Sequence, residues 1–155
     1  MGLPPPRDRD PSARTYHRAL ATRKRLAFAA AFTAAATYVF LRWKPFRVEV
    51  NGPSMRPSLE PGDWALAVPT TRFRRGDVVV VEHPGRDGFE LVKRVRAVPG
   101  DLAPDGRVLG RDEFWVQGDA PEASTDSRAF GAVSRARLKA RVRLVYWPSG
   151  RRRLL

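Results

Sequence analysis

The chain has 155 residues, a length that predicts one domain with short appendages. It contains no cysteine and only two histidines, which excludes a disulfide framework and thiol chemistry and argues against a metal site. The formal net charge of +13 favours contact with anionic surfaces such as lipid headgroups or nucleic acid. Because the charges are scattered without a nucleic-acid-binding signature, we do not expect a nucleic-acid partner. No cofactor is expected either.

The N-terminal quarter of the chain divides into a polar and an apolar part. Residues 1–25 are rich in Pro, Arg and Asp and lack hydrophobic periodicity, which predicts a basic tail that is disordered or loosely helical. The run from Leu26 to Leu41 carries no charge, and as a helix it would span about 24 Å, somewhat less than a hydrocarbon core of about 30 Å. Flanking arginines can snorkel, so residues 26–43 are interpreted as one transmembrane anchor. The alternatives are a cleaved secretory signal peptide and an alanine-rich helix packed on the domain.

From Phe46 onward the pattern is that of an all-β domain. Val78–Val81 is an uninterrupted β-branched run, typical of a strand buried on both faces. Gly-Asp dipeptides mark the turns between short strands, which predicts a mostly β, barrel-like domain over residues 44–149 and a basic tail at 150–155. The other predicted strands are Phe46–Val50, Trp64–Val68, Phe89–Val98, Phe114–Gln117 and Arg141–Trp147.

Ser54 follows directly on the first predicted strand. Gly52-Pro53 ends that strand, and Pro53 and Pro57 stiffen the turn that carries the serine. A rigid turn suits a nucleophile because it holds one hydroxyl exposed beside free backbone N–H groups. The alternative is a proline-stiffened turn that the serine only caps.

Lys93 is the one charged residue on the apolar face of its predicted strand, which it shares with Leu91, Val95 and Ala97. Burial disfavours the ammonium form and lowers the pKa of a lysine. The chain has 29 Lys+Arg, of which four are lysines, so arginine serves wherever charge alone is needed. Because a desolvated lysine can act as a base and an arginine cannot, Lys93 is the candidate base. The alternative is a lysine that snorkels along the apolar face to water.

Three segments together resemble the type I signal peptidase family. Gly52-Pro53-Ser54-Met55-Arg56-Pro57-Ser58-Leu59 is similar to the box that carries the family's nucleophile. Arg75–Val80, Lys93-Arg94-Val95 and Pro99-Gly100-Asp101 resemble the lysine box and its flanks. Gly118-Asp119 with Ser124, Asp126, Ser127, Arg128, Gly131 and Val133 resembles the final box. The resemblance implies a signal-peptidase-type β fold with an N-terminal transmembrane helix and a Ser-Lys dyad made of Ser54 and Lys93.

The resemblance also implies supporting roles around the dyad. Ser124 would orient the Lys93 amine, Asp126 and Arg128 would form a structural ion pair, and the Ser54 backbone N–H would bind the oxyanion. The chain departs from the family at Gly52, where some members carry a serine that serves as a second oxyanion donor. It also has Ala120 where asparagine is usual and Ser58 where threonine is usual.

The expected function is a membrane-anchored serine endopeptidase that removes N-terminal signal or leader segments of exported precursors after small residues. By resemblance, the substrate adds as a strand to the sheet. The alternatives are a dedicated maturase, as for nickel superoxide dismutase, and a non-enzymatic peptide-binding β domain. The resemblance places the catalytic domain on the outer face of a plasma membrane, attached by one span. The expected walls of the substrate pockets are Phe46, Val50, Met55, Leu59, Leu91 and Val95.

A second catalytic arrangement is compatible with the sequence. His83 precedes Pro84 at a predicted strand end, and a Ser54-His83-Asp triad would use it as the base. Nothing in the spacing of the residues supports the triad beyond the presence of the histidine.

Overall fold

The computed structural model describes residues 25, 28–38, 40–41 and 43–155, and the chain divides into two compact units, Met1–Arg42 and Trp43–Leu155. In the first unit, the described residues are helical. None of the described residues belongs to a helix that combines the length and the apolar character needed to cross a bilayer. The predicted tail at 1–25 lies outside the described residues except for Arg25, as do four residues of the predicted anchor at 26–43: Leu26, Ala27, Val39 and Arg42.

The second unit is mostly β, as predicted. Its strands form a curled antiparallel sheet in the order β1-β2-β7-β3-β4-β5-β6, with β8 paired to β7. The sheet has β1 and β6 at its ends, so it is open where a closed barrel would join them. The strands are β1 Phe46–Glu49, β2 Trp64–Pro69, β3 Val78–Glu82, β4 Glu90–Ala97, β5 Glu113–Gln117, β6 Val133–Ser134, β7 Leu138–Trp147 and β8 Arg153–Leu154.

The valine run of β3 lies in the middle of the sheet and contributes to both cores. Val78 and Val80 pack into a first hydrophobic cluster with residues of β2 and β7, whereas Val79 and Val81 pack into a second with residues of β4 and β5. Alternate residues of a strand point to opposite faces, so a strand buried on both sides needs an uninterrupted apolar run. The predicted burial of these valines on both faces is confirmed.

Strand β7 connects the two halves of the sheet. It pairs with β2 on one side and with β3 on the other. Without β7, no strand of the β1–β2 hairpin would pair with the meander of β3, β4 and β5. Five short helical turns occur between the strands of the second unit: Pro53–Met55, Pro121–Ala123, Ser127–Phe130, Arg135–Arg137 and Ser149–Arg151.

The arginine-rich end of the chain, predicted as a basic tail at 150–155, makes specific contacts with the sheet. A helical turn at Ser149–Arg151 leads into β8, whose Arg153 and Leu154 pair with β7. The guanidinium of Arg151 donates to both carboxylate oxygens of Asp63, at 2.9 and 3.1 Å. Asp63 is buried, and a buried carboxylate requires such a partner.

Candidate active site

Ser54 lies in the 3₁₀ turn Pro53–Met55 that follows β1, as the predicted strand end required. Pro53 occupies the first position of the turn, where its missing N–H costs no hydrogen bond. Met55 is almost fully buried in the first cluster and fixes the turn to the core, while Ser54 remains half-buried. The local sequence therefore anchors the residue after Ser54 and leaves the hydroxyl at the protein surface.

Lys93 lies on β4 and is 2 % exposed, so the predicted burial of this lysine is confirmed. Its Nζ donates to Ser54 Oγ at 2.8 Å, which brings together two residues from opposite halves of the sheet. Within residues 43–155, Nζ has no other hydrogen-bond partner and no ion pair. The arrangement couples a buried amine directly to a half-buried hydroxyl.

The surroundings of Lys93 favour the neutral amine. Burial is the largest influence and lowers the pKa of Lys93 below its ordinary value, because the ammonium loses hydration. The Asp126 carboxylate acts in the opposite direction and raises the pKa, and the Arg128 guanidinium lowers it again. Asp126 and Arg128 are paired with each other, so their effects on Lys93 partly cancel. Desolvation therefore determines the direction of the shift.

Asp126 holds the loop opposite the serine. The carboxylate is fully buried and accepts hydrogen bonds from Gly118 N at 3.0 Å, from Ser124 Oγ at 2.7 Å and from the Arg128 guanidinium at 2.7 and 2.9 Å. These bonds hold the pKa of Asp126 far below its usual range although burial alone would raise it. Ser124 thus donates to Asp126, and the hydrogen bond of the Lys93 amine goes to Ser54.

Gly118 is the point where this loop meets the nucleophile turn. A Cβ at this position would overlap with the Ser54 carbonyl oxygen and with Ser124 Oγ, closer than real Cβ atoms approach other atoms. The next contact along the loop is a backbone hydrogen bond from Ala120 N to Ser54 O at 3.0 Å. Only glycine allows the loop to approach the serine backbone so closely.

A second ion-pair network was missed by the sequence reasoning. The Arg94 guanidinium donates to both carboxylate oxygens of Asp119, at 2.6 and 2.8 Å, and to Ser58 Oγ at 3.0 Å. It also donates to Gly76 O, and Arg96 adds a contact to Asp119. Hydrogen bonding raises the pKa of Arg94; it also lowers the pKa of Asp119, against the effect of burial. The alternation on β4 predicted that Arg94 and Lys93 lie on different faces of the strand. The hydrogen-bond partners of Arg94 are seen only in the structure.

The expected pocket walls are divided between the two clusters. Val50, Met55 and Leu59 are buried in the first cluster, with Phe46 packed partly exposed against it. Val95 is buried in the second cluster, and Leu91 packs partly exposed against it. The structure therefore leaves Phe46 and Leu91 as the two members of this set with surface to offer.

The side chain of His83 packs against two aromatic rings. Its ring packs edge-on against Phe130 and Phe89, with centroid distances of 5.3 and 6.2 Å. Its Nδ1 accepts a hydrogen bond from Gly85 N at 3.0 Å. Since the Ser54 hydroxyl is paired with Lys93, the alternative Ser-His-Asp triad is not formed.

Comparison with known proteins gives one consistent result. The family described as "Signal peptidase, peptidase S26" matches residues 21–108 and 102–147. Mitochondrial inner membrane protease subunit 1 of Xenopus tropicalis is 31% identical over 63% of this chain and 66% of its own length, so the match covers slightly less than two thirds of that relative. Subunit 2 of Mus musculus is 35% identical over 66% of this chain and 67% of its own length. Mitochondrial ATP-independent inner membrane protease subunit 1b of Arabidopsis thaliana is 32% identical over 82% of this chain and 87% of its own length. The resemblance seen in the three sequence boxes is confirmed, and the chain belongs to the peptidase S26 family of signal peptidases.

Proposed function

We propose that this chain is a serine endopeptidase that uses a Ser-Lys dyad to remove N-terminal segments from precursor proteins at a membrane. The observation that carries the proposal is the 2.8 Å hydrogen bond between the buried Lys93 amine and Ser54 Oγ. A serine hydroxyl is a weak nucleophile unless a positioned base accepts its proton. Burial lowers the pKa of Lys93, which makes the neutral amine available for this role.

The proposed reaction follows acyl transfer. Neutral Lys93 takes the Ser54 hydroxyl proton while Oγ attacks the carbonyl carbon of the scissile bond. The tetrahedral intermediate collapses as the Lys93 ammonium returns the proton to the leaving amine, and an ester to Ser54 remains. Water then attacks the ester with Lys93 again as the base, which releases the new carboxyl terminus and restores the hydroxyl.

The oxyanion is proposed to bind the backbone N–H of Ser54. As the second residue of a 3₁₀ turn, Ser54 has an N–H without an acceptor inside that turn. Gly52 offers no hydroxyl, so the additional donor of some family members is missing here. The Asp126 network serves this geometry indirectly, because it holds Gly118 and Ala120 against the Ser54 carbonyl.

The substrate is proposed to add as an extended strand at the edge formed by β1. Among the strands of residues 43–155, β1 pairs with β2 alone, and its other side offers backbone groups to a substrate strand. Alternate substrate side chains would then face the surface around Phe46 and Leu91, over the buried Val50, Met55, Leu59 and Val95. A closely packed floor leaves shallow pockets, which supports a preference for small residues one and three positions before the scissile bond.

We infer that the protease acts at a membrane. The relatives are named as mitochondrial inner membrane proteases. The finer proposal keeps residues 26–43 as a single span, with the catalytic domain on the outer face of a plasma membrane. It is supported by the uncharged run of the sequence and its basic flanks. Retention after an alkaline wash of full-length protein, and its loss after deletion of residues 1–43, would support the span.

One experiment separates the proposed function from its alternatives. Full-length protein in detergent is incubated with precursor peptides carrying Ala, Leu or Lys at the first and third positions before the scissile bond, and cleavage is measured by mass spectrometry. We expect cleavage of the Ala series, loss of at least about four orders of magnitude in Ser54→Ala, and near-normal rates in His83→Ala. Cleavage of a single precursor would indicate a dedicated maturase. Peptide binding without cleavage or serine acylation would indicate a binding domain and would overturn the proposal.

A further inference from the structure

The pairing of β3 with β4 continues one step beyond the two strands, at His83 and Phe89. Val81 is opposite Leu91, and His83 N donates to Phe89 O at 2.8 Å in the same register. Every second residue along a strand points to the same side of the sheet, and so do directly opposed residues of antiparallel strands. Phe89, Leu91 and Lys93 therefore form one row on the face of β4 that carries the proposed base.

This row becomes more exposed with distance from the dyad. Lys93 is 2 % exposed, Leu91 is partly exposed and Phe89 is 48 % exposed. Phe89 lies four residues before Lys93, which corresponds to about 14 Å along an extended strand. A row of apolar side chains thus leads from the buried amine to the protein surface.

The outer end of the row is an aromatic cluster made of Phe89, His83 and Phe130. The His83 ring packs edge-on against both phenylalanine rings, at centroid distances of 5.3 Å from Phe130 and 6.2 Å from Phe89. Phe130 packs against the second hydrophobic cluster and ends the helical turn that Asp126 caps. The aromatic cluster is therefore fixed to the loop that supports the dyad, and the Phe89 ring is its most exposed member.

The edge of β4 beside the row is open to an added strand. β5 pairs with β4 from Arg94 onward. Within residues 43–155, the segment Glu90–Lys93 pairs with β3 on one side and with no strand on the other. Because β5 occupies the edge beyond Arg94, a chain that lies along this edge at Ser54 extends toward Glu90 and the aromatic cluster.

We propose that the aromatic cluster is a distal substrate subsite, which takes an apolar side chain of the precursor about four to six residues before the scissile bond. The inference rests on the proposed function and deepens it. A precursor whose scissile carbonyl lies at Ser54 would place every second side chain of its upstream segment over Leu91 and Phe89. The distance from Lys93 to Phe89 corresponds to four residues, and a shift of one residue in register gives the range.

The charges around the aromatic cluster favour an apolar side chain over a basic one. The Arg86 guanidinium lies over the Phe89 ring, 5.9 Å from its centroid, and would repel a lysine or arginine of the precursor. Glu82, which precedes His83, is bonded to Lys139 at 2.6 Å and accepts from Gly88 N. An apolar side chain needs no anion and gains from covering the exposed ring.

The test uses full-length protein in detergent and peptides with alanine at the first and third positions before the scissile bond. Serine is replaced by leucine, lysine or glutamate at the fourth, fifth and sixth positions, one at a time, and kcat/KM is measured by mass spectrometry. We expect leucine at one of these positions to raise kcat/KM at least about ten-fold over serine, and lysine to give no gain.

The Phe89→Ala variant should reduce this leucine-over-serine ratio to within about two-fold. Phe89→Leu, which keeps an apolar side chain, should retain most of the ratio. Trp147→Ala is the matched control, because Trp147 is an aromatic residue of similar exposure, 55 %, at the end of β7. It should leave the ratio unchanged. The serine peptide in each variant reports whether the site is still formed.

Binding provides a second readout that does not use cleavage. Fluorescence anisotropy with the Ser54→Ala protein should show the leucine peptide bound at least about ten-fold more tightly than the serine peptide, and Phe89→Ala in that background should remove the difference. If no peptide is cleaved by the unsubstituted protein but this difference is present, the proposed protease activity is wrong and the subsite is retained.

Three outcomes would overturn the subsite while leaving the protease in place. Equal kcat/KM for leucine and serine at all three positions would show that the aromatic cluster only closes the turn after β3. A ratio that Phe89→Ala leaves intact would place the apolar contact elsewhere. A preference for glutamate over leucine that disappears in Arg86→Gln would assign the contact to the guanidinium and not to the rings.

Discussion

Lys93 and Arg94 are consecutive cations on β4, and their environments are opposite. Lys93 points into the protein, is 2 % exposed and bonds to a neutral hydroxyl. Arg94 points to the other side and is held by both oxygens of Asp119. Burial lowers the pKa of Lys93, whereas the Asp119 carboxylate raises the pKa of Arg94. On the same strand, the environment of Lys93 therefore favours loss of its proton, and that of Arg94 favours the charged form.

The difference between the environments of Lys93 and Arg94 comes from the positions and hydrogen bonds of Asp126 and Asp119. Asp126 is close enough to act on Lys93 through space, but its oxygens are occupied by Arg128, Ser124 and Gly118 N. Asp119, by contrast, gives both oxygens to Arg94. A carboxylate hydrogen-bonded directly to Lys93 would favour the ammonium and remove the base. The pKa of each of these two side chains therefore depends on whether a carboxylate is hydrogen-bonded directly to it.

The largest expected effect is on activity, when Lys93 is replaced by arginine and Arg94 by lysine. Lys93→Arg replaces the proposed base by a guanidinium that cannot accept a proton, so kcat should fall at least about four orders of magnitude. Arg94→Lys keeps the charge but loses the two-pronged contact to Asp119, and kcat/KM should fall only about ten-fold. Single-turnover cleavage of an Ala-series peptide measures both. Comparable losses in the two variants would contradict the division of roles.

The next effect concerns the stability of the Arg94 network. Arg94→Met leaves Asp119 without its main partner, and the free energy of unfolding should fall by about 2–3 kcal/mol in urea titrations. Arg75→Met is the matched control, because the Arg75–Asp101 pair also has a 2.8 Å contact but the Arg75 side chain is 65% exposed. Its loss should cost less than about 1 kcal/mol. Equal losses would mean that Arg94 is an ordinary surface arginine.

The smallest expected effect is a gain in stability. Lys93→Met should raise the free energy of unfolding at neutral pH by about 1 kcal/mol, since a buried amine is replaced by an apolar chain of similar length. Between the lowered pKa of folded Lys93 and the unfolded value of 10.5, the unfolded chain binds more protons than the folded one. Stability of the unsubstituted protein therefore rises with pH across this window. In Lys93→Met that rise should disappear, which urea titrations at several pH values measure. A stability gain that does not change with pH would argue against a lowered pKa.

The rigid turn at Ser54 and the burial of Lys93 could be predicted from the sequence because their signals are local. Four successive valines indicated a doubly buried strand, and period-two alternation placed Lys93 on an apolar face. Proline positions around Ser54 indicated a rigid turn, which the structure contains. Each of these signals needs only a few neighbouring residues, so no knowledge of strand pairing was required.

The polar networks could not be found in this way. Arg94 meets Asp119 and Ser58, which are 25 and 36 positions away in the sequence, and the contact depends on the register of three elements. The segment 150–155 was predicted only as a basic tail. Arg151 instead pairs with Asp63, 88 positions away. Ion pairs between residues far apart in the sequence determine the structure of these regions, and a local sequence pattern does not identify the partner.

The central position of β7 has a consequence for how the protein is made. Ser54 belongs to the β1–β2 hairpin and Lys93 to the β3–β4 hairpin, and only β7 pairs with both. A nascent chain that has not yet released residues 138–147 from the ribosome carries Ser54 and Lys93 on hairpins that lack the strand that pairs with both. If the proposed function holds, proteolytic activity would therefore be acquired late in synthesis, when β7 pairs with both hairpins.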